Sequence, residues 1–324
     1  MTQAIPLEQV AADAVALVRA FRANGEVSFQ DVPLAEGRAN YLNACAANGI
    51  AEQPVAHVRT LEYPVAQGKA RLRLYRPVGC ESTTATPLVV FIHGGGWVIG
   101  DLESHDGLCR ALANQSGASV VAVDYRRAPE YRFPVPLDDC LAAVRFIRDN
   151  AAELQLNLAD AVIAGDSAGG NMATVLATHP AYQVKGLAFG AQVLFYPVTD
   201  LTASQGSYQR ITQGFALTAA SMYWFREQYV GPGKDLTDAR LSPLLHAQGR
   251  PQPDLFILTA GLDPLADEGI AYAAAAAQAG TAVVHHHLPR HAHGLLTSAG
   301  KIDTGRRLLA EAARFIADRQ AASR

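Results

Sequence analysis

Six short stretches of the chain are almost continuously apolar: "PLVVFIHG", "SVVAVDY", "AVIAGDS", "LAFGAQVLFYP", "DLFILTAG" and "TAVVHHHL". A strand with one wet face alternates apolar and polar residues, so runs lacking that alternation suit strands covered on both sides. Helix-like segments lie between most of them, and this order predicts an α/β architecture: a mostly parallel sheet with helices on both faces. Upstream, "VRTLEYPV" and "ARLRLYRP" do alternate and read as an antiparallel hairpin around Gln67-Gly68. Before His57, the spacing of Leu7, Val10, Ala14, Leu17, Val18 and Phe21 predicts a helix over 7–21, stopped near Gly25. A second helical stretch covers about 34–47. Between Pro197 and Leu241 no strong strand appears, but Phe215, Leu217, Met222, Tyr223, Trp224, Phe225 and Tyr229 do. This insert, at about 200–238, and residues 1–52 are expected to form a helical cap over the strand ends, with 53–324 as the main domain.

Composition narrows the function classes. With 49% hydrophobic and 18% charged residues, the 324-residue chain has ample material for a core. A net charge of −3 gives no signal for nucleic acid or anionic lipid. The first residues lack a basic region followed by a compact apolar run, and no window is long enough to span a membrane, so a cytoplasmic location is expected. Cys45, Cys80, Cys109 and Cys140 match neither a zinc knuckle nor a disulfide framework and are expected to be free thiols.

Chemistry concentrates in four places. In "AVIAGDSAGGNMATVLAT" an apolar strand runs into Gly165-Asp166-Ser167-Ala168-Gly169 and a helix begins at once. That is G-x-S-x-G at a strand-to-helix turn, the setting that exposes a serine Oγ as a nucleophile. Three glycines, Gly94–Gly96, follow another buried strand. They lack the lysine of a phosphate loop and fit a loop of backbone donors for a developing oxyanion. Gly94 and Gly95, with Ala168 after the nucleophile, are the expected donors, and His93 is expected to shape the loop. In "LFILTAGLDPLADEG", Asp263 stands just past a strand, where an acid that orients a catalytic base belongs. Asp267 and Glu268 are rivals that fall inside the following helix.

The fourth place is "HHHLPRHAHG", which holds half of the chain's ten histidines. On a strand, His285 and His287 share one face while His286 points to the other, and a metal site needs more ligands converging than that. No metal and no cofactor are expected. If Pro289 ends the strand, His291 and His293 lie in the loop where a catalytic base must sit. His293 is the expected base, with His291 as runner-up. Trp97, Phe215 and Met222 are candidate walls for an acyl pocket.

Taken together, "HGGGWVIGD", "DYRRAPEYRFPVPLDDC", "GDSAGG", "YWFREQY", "ARLSPL", "GLDPLADEG" and "HAHG" resemble, in order, the bacterial hormone-sensitive-lipase-like branch of the α/β hydrolases. The likeness runs from about Val58 onward. It implies an α/β-hydrolase fold with an N-terminal helical cap, a triad of Ser167, Asp263 and His293, and carboxylesterase activity on short to medium acyl chains. Two positions depart from the family: Leu295 follows His293-Gly294 where phenylalanine is usual, and Arg127 replaces a leucine. The same machinery would serve an amidase or peptidase, and a hydrolase-fold binding module would lack a triad member. The expected partner is a small-molecule ester. A histidine-rich strand at the sheet edge would also suit a homodimer.

Overall fold

The computed structural model describes residues 4–80, 85–249 and 251–321. Eight strands form one sheet: β1 (His57–Pro64), β2 (Lys69–Arg76), β3 (Thr86–Ile92), β4 (Ser119–Asp124), β5 (Leu156–Asp166), β6 (Phe189–Phe195), β7 (Asp254–Leu262) and β8 (Val283–Ala292). Their spatial order is β1-β2-β4-β3-β5-β6-β7-β8. The β1–β2 hairpin and the β2–β4 pair are antiparallel; from β4 to β8 every pair is parallel. All eight apolar or alternating stretches are therefore strands.

The nine helices among the described residues are α1 (Val15–Ala23), α2 (Leu34–Asn48), α3 (Asp106–Ser116), α4 (Val135–Asp149), α5 (Ala168–Thr178), α6 (Ser207–Arg210), α7 (Ala219–Val230), α8 (Ala266–Gln278) and α9 (Asp303–Ala321). Two cores form, one on each face of the sheet. Leu88, Val90 and Ile92 of β3 join α4, α5 and α8 in one; Val89 and Phe91 join α3 and α9 in the other. That split explains the continuous apolar runs, because successive residues of a strand point to opposite faces and here both faces are dry. Among the described residues no helix is long and apolar enough to cross a membrane.

Two local expectations are corrected. The helix expected over 7–21 is broken into a 3₁₀ turn at Leu7–Gln9 and α1. The Arg290 guanidinium takes the carbonyls of Glu8, Gln9 and Val10, and Asp13 accepts from Thr304 N–H, so this stretch gives its polar groups to other parts of the chain. Pro289 does not end β8. The strand continues to Ala292 after a register shift opposite Gly261, where a Cβ would lie 2.6 Å from the Pro289 carbonyl oxygen. An edge strand tolerates proline because no ladder hydrogen bond is needed on its outer side.

One tight point of the fold lies where the turn from β5 into α5 meets the end of β3. A Cβ on Gly169 would sit 2.0 Å from the Ile92 carbonyl oxygen, and one on Gly165 would sit 2.6 Å from Gly169 backbone. Both contacts are backbone to backbone, so nothing can rotate away. Gly169→Ala should lower the free energy of unfolding in a urea titration by about 1–3 kcal/mol, the usual cost of overpacking. A variant as stable as wild type would contradict this packing.

Candidate active site

Ser167 occupies the turn between β5 and α5 with φ +55° and ψ −121°, a conformation rarely adopted outside glycine. Such strain costs on the order of 1–3 kcal/mol and persists only where the surroundings enforce it. Here Ser167 N–H donates to Phe195 O at 2.9 Å, while its own carbonyl accepts from Val198 and Asn171 N–H. These bonds fix the turn and leave Oγ at the floor of a cavity of about 540 Å³.

Three of the side chains singled out in the sequence meet at that floor. His293 Nε2 is 3.0 Å from Ser167 Oγ, and its Nδ1 is 2.6 Å from Asp263 Oδ2. A carboxylate only accepts, so Nδ1 carries the ring proton and Nε2 is left with a lone pair facing the serine hydroxyl. Asp263 is fully buried, and its other oxygen accepts from Leu265 N–H at 2.9 Å. The rivals are engaged elsewhere. Asp267 pairs with Arg210 at 2.7 and 2.9 Å. Glu268 accepts from the N–H groups of Thr199 and Asp200, and burial raises its carboxyl well above the ordinary glutamate range. His291 stands in β8 and reaches Asp13 at 3.0 Å. The rings of His285 and His287 both lie against Thr259 Oγ1, and His286 faces Glu311.

The glycine loop needs a correction. Gly94 N–H donates to Asp166 Oδ1 at 2.7 Å, so it has no bond to offer a substrate. Gly95 and Gly96 line the cavity instead, both at positive φ. A Cβ on Gly95 would strike Ile99 O at 2.2 Å, and one on Gly96 the Phe225 ring at 2.2 Å. Ala168 opens α5 directly after the serine. Arg127, the departure without an evident purpose, donates from Nη1 to Gly100 O at 2.6 Å and braces the far end of this loop. His93 also shapes it: its Nδ1 bonds Gly94 O, and burial pulls the imidazole down to about 4, keeping it neutral. Leu295, the other departure, is buried in the core beneath the base.

Of the expected pocket walls, only Met222 lines the cavity. Trp97 is fully buried and stacks on Tyr229 with ring centroids 4.3 Å apart, so its indole belongs to the core. Phe215 is buried under the Arg22 guanidinium. Most of the roof comes from residues that the sequence did not mark as pocket walls: Phe29, Tyr41 and Cys45 before the sheet, and Leu217 and Phe225, named only as members of the cap insert. Phe225 lay within the "YWFREQY" block, which was the available signal; α2 carried none.

Comparison with known proteins identifies the family. Residues 89–297 match a family model described as the alpha/beta hydrolase fold. The chain belongs to the α/β hydrolases, in their hormone-sensitive-lipase-like branch. It is 40% identical over 232 residues to an ethyl acetate hydrolase of Pseudomonas putida, covering 72% of this chain and 73% of that one. An arylesterase of Saccharolobus solfataricus is 32% identical over 79% of this chain and 83% of its own. Among solved structures, an α/β hydrolase from the Lake Arreo metagenome superposes with a TM-score of 0.91 at 35% identity, over 97% of this chain and 99% of that one. An esterase of Pyrobaculum calidifontis gives 0.85 at 31% identity, over 97% of this chain and 100% of that one.

Met222→Ala should therefore shift the hydrolase's preference toward longer acyl chains in an ester series, because it enlarges a cavity wall. Trp97→Phe should leave the chain-length profile unchanged and lower the melting temperature. The reverse pattern would put the indole, and not the thioether, against the substrate.

Proposed function

We propose that this carboxylic ester hydrolase cleaves short- to medium-chain acyl esters by transferring the acyl group to Ser167 and then to water. The observation that carries this reading is the unbroken relay from Asp263 through His293 to Ser167 at the floor of a largely apolar cavity. His293 Nε2 takes the hydroxyl proton as Oγ attacks the ester carbonyl carbon, giving a tetrahedral intermediate. The bond to the alkoxy oxygen then breaks, and His293 delivers the proton to the departing alcohol. Water enters, gives a proton to His293 and attacks the acyl carbon. In collapse of the second intermediate the bond to Oγ breaks and His293 returns its proton to that oxygen, which releases the acid and restores the serine. Asp263 keeps the imidazole in the correct tautomer and stabilises its cationic form throughout.

In both intermediates the former carbonyl oxygen carries the negative charge. Gly95, Gly96 and Ala168 are the amides available to it, and Gly94 acts one step back, through Asp166. Removing one such donor costs about 10²–10³ in turnover in comparable sites. A cavity of about 540 Å³ lined by Met222, Phe225, Leu217 and Phe29 suits an acyl chain of limited length. The P. putida relative is named for a small ester, which is in keeping with that size.

Hydrolysis of p-nitrophenyl esters from acetate to palmitate tests the reading. Activity should peak between acetate and octanoate and vanish to background in Ser167→Ala. Asp263→Asn should retain the fold and lose about 10⁴ in kcat. A loss below tenfold would move the acid's role to another carboxylate, and wild-type protein that hydrolyses only long-chain esters would overturn the acyl-chain assignment.

A further inference from the structure

Beneath the glycine loop lies a second histidine–carboxylate pair that the relay does not use. Asp166 and His105 are each only 2% exposed, and His105 Nε2 is 3.1 Å from Asp166 Oδ1. We infer that Asp166 and His105 form a buried charge pair that positions the oxyanion loop, fixing the Gly94 amide and through it the aim of the Gly95 and Gly96 amides.

A count of protons supports the charge. Ser104 Oγ has one hydrogen. It lies 2.8 Å from Asp101 O, which can only accept, and it receives Asp101 N–H at 2.9 Å. The serine proton is therefore spent on Asp101 O. His105 Nδ1, 2.9 Å from the same Oγ, must itself carry a proton. If the ring were neutral, its bare, electron-rich Nε2 would then lie 3.1 Å from the anionic Asp166 carboxylate, an unfavourable contact. Protonating Nε2 removes the conflict and makes His105 an imidazolium. Nε2 makes no regular hydrogen bond, so the attraction of opposite charges is what holds the contact.

The neighbours fit that assignment. Burial alone would raise the Asp166 carboxyl, but His105 and the Gly94 N–H outweigh it and hold the group below the ordinary aspartate range. His93, with its ring centroid 5.7 Å from that of His105, is the neutral member of the two. Asp166 also packs flush on the loop: a Cβ on Gly94 would lie 2.4 Å from its Oδ2. A carboxylate anchored from behind by a cation, and accepting Gly94 N–H at 2.7 Å, sets where the next two peptide planes point.

The kinetic consequence rests on the Ser167 acyl-transfer reading; the protonation state does not. Nitrogen-15 NMR of histidine-labelled wild-type protein near neutral pH reads the latter, with His105→Gln assigning the signal. Two protonated ring nitrogens on His105, with one on His93, are expected; a neutral His105 would overturn the proposal. In kinetics, Asp166→Asn and His105→Gln should each lower kcat about ten- to a hundredfold with KM changed less than about twofold, because the loss appears only when the oxyanion forms. Affinity for a trifluoromethyl ketone, which forms a tetrahedral adduct, should fall by the same factor as kcat. The double variant should be no slower than the slower single one, since both act through one amide. Unchanged kcat, a loss confined to KM, or multiplying losses would each overturn it. Should the variants prove insoluble, the His105 ring nitrogens can be assigned in wild type through their couplings to the sequentially assigned backbone, and that spectrum still decides. Activity that survives Ser167→Ala would mark failure of the acyl-transfer reading instead.

Discussion

The architecture of this site depends on one backbone contact, the seating of Gly169 against the carbonyls of Ile92 and His93. That contact closes β5 and α5 onto the end of β3. It holds Ser167 in its strained conformation and brings the turn beside the glycine loop that leaves β3. The start of α5 and the loop then stand side by side, which is what the proposed oxyanion site requires, and the partial positive charge of the helix end would add to the field of the loop amides. Side chains complete the arrangement. Asp166 ties the turn to Gly94, Arg127 ties the loop's far end at Gly100, and Asn171 bonds the carbonyls of Val198 and Leu241 on the neighbouring segments.

Over this rigid floor, the N-terminal helices are held by polar contacts more than by deep burial. Arg38 reaches from α2 to Val98 O and Ala128 O and pairs with Glu130 at 2.7 Å. Ser28 Oγ donates to Ala216 O, and Arg22 donates to Gly214 O, joining α1 and the chain before α2 to the insert. Asp13 is latched by His291 and by Thr304 N–H near the base. Exposed ion pairs of this kind contribute roughly 0.2–1 kcal/mol each, far less than core packing. The roof is thus the part of the cavity most easily repacked.

The sequence made the fold legible because burial on both faces leaves a mark: Val89 and Val90 belong to different cores, so neither position admits a polar residue. It made Ser167, Asp263 and His293 legible because each follows a strand at the same end of the sheet. It was less informative where the outcome depends on who else bonds a group. Gly94 looked like a donor until Asp166 was seen to hold its amide. Trp97 looked like a wall residue until its positive φ and the Tyr229 ring turned it into the core. The helix over 7–21 had the right spacing, but Arg290, nearly the whole chain away, takes the carbonyls it needed. Those partners lie far off in sequence, and no local pattern announces them.

The central claim is that Ser167 is a nucleophile made reactive by His293, and labelling by a fluorophosphonate tests it most directly. Oγ should attack phosphorus and expel fluoride, leaving one phosphonyl group per chain on the peptide that contains Ser167. Mass spectrometry of the digested protein should find that adduct in wild type, much slower labelling in His293→Ala, and none in Ser167→Ala. A label on another residue, or an active enzyme that takes up no label, would contradict the account.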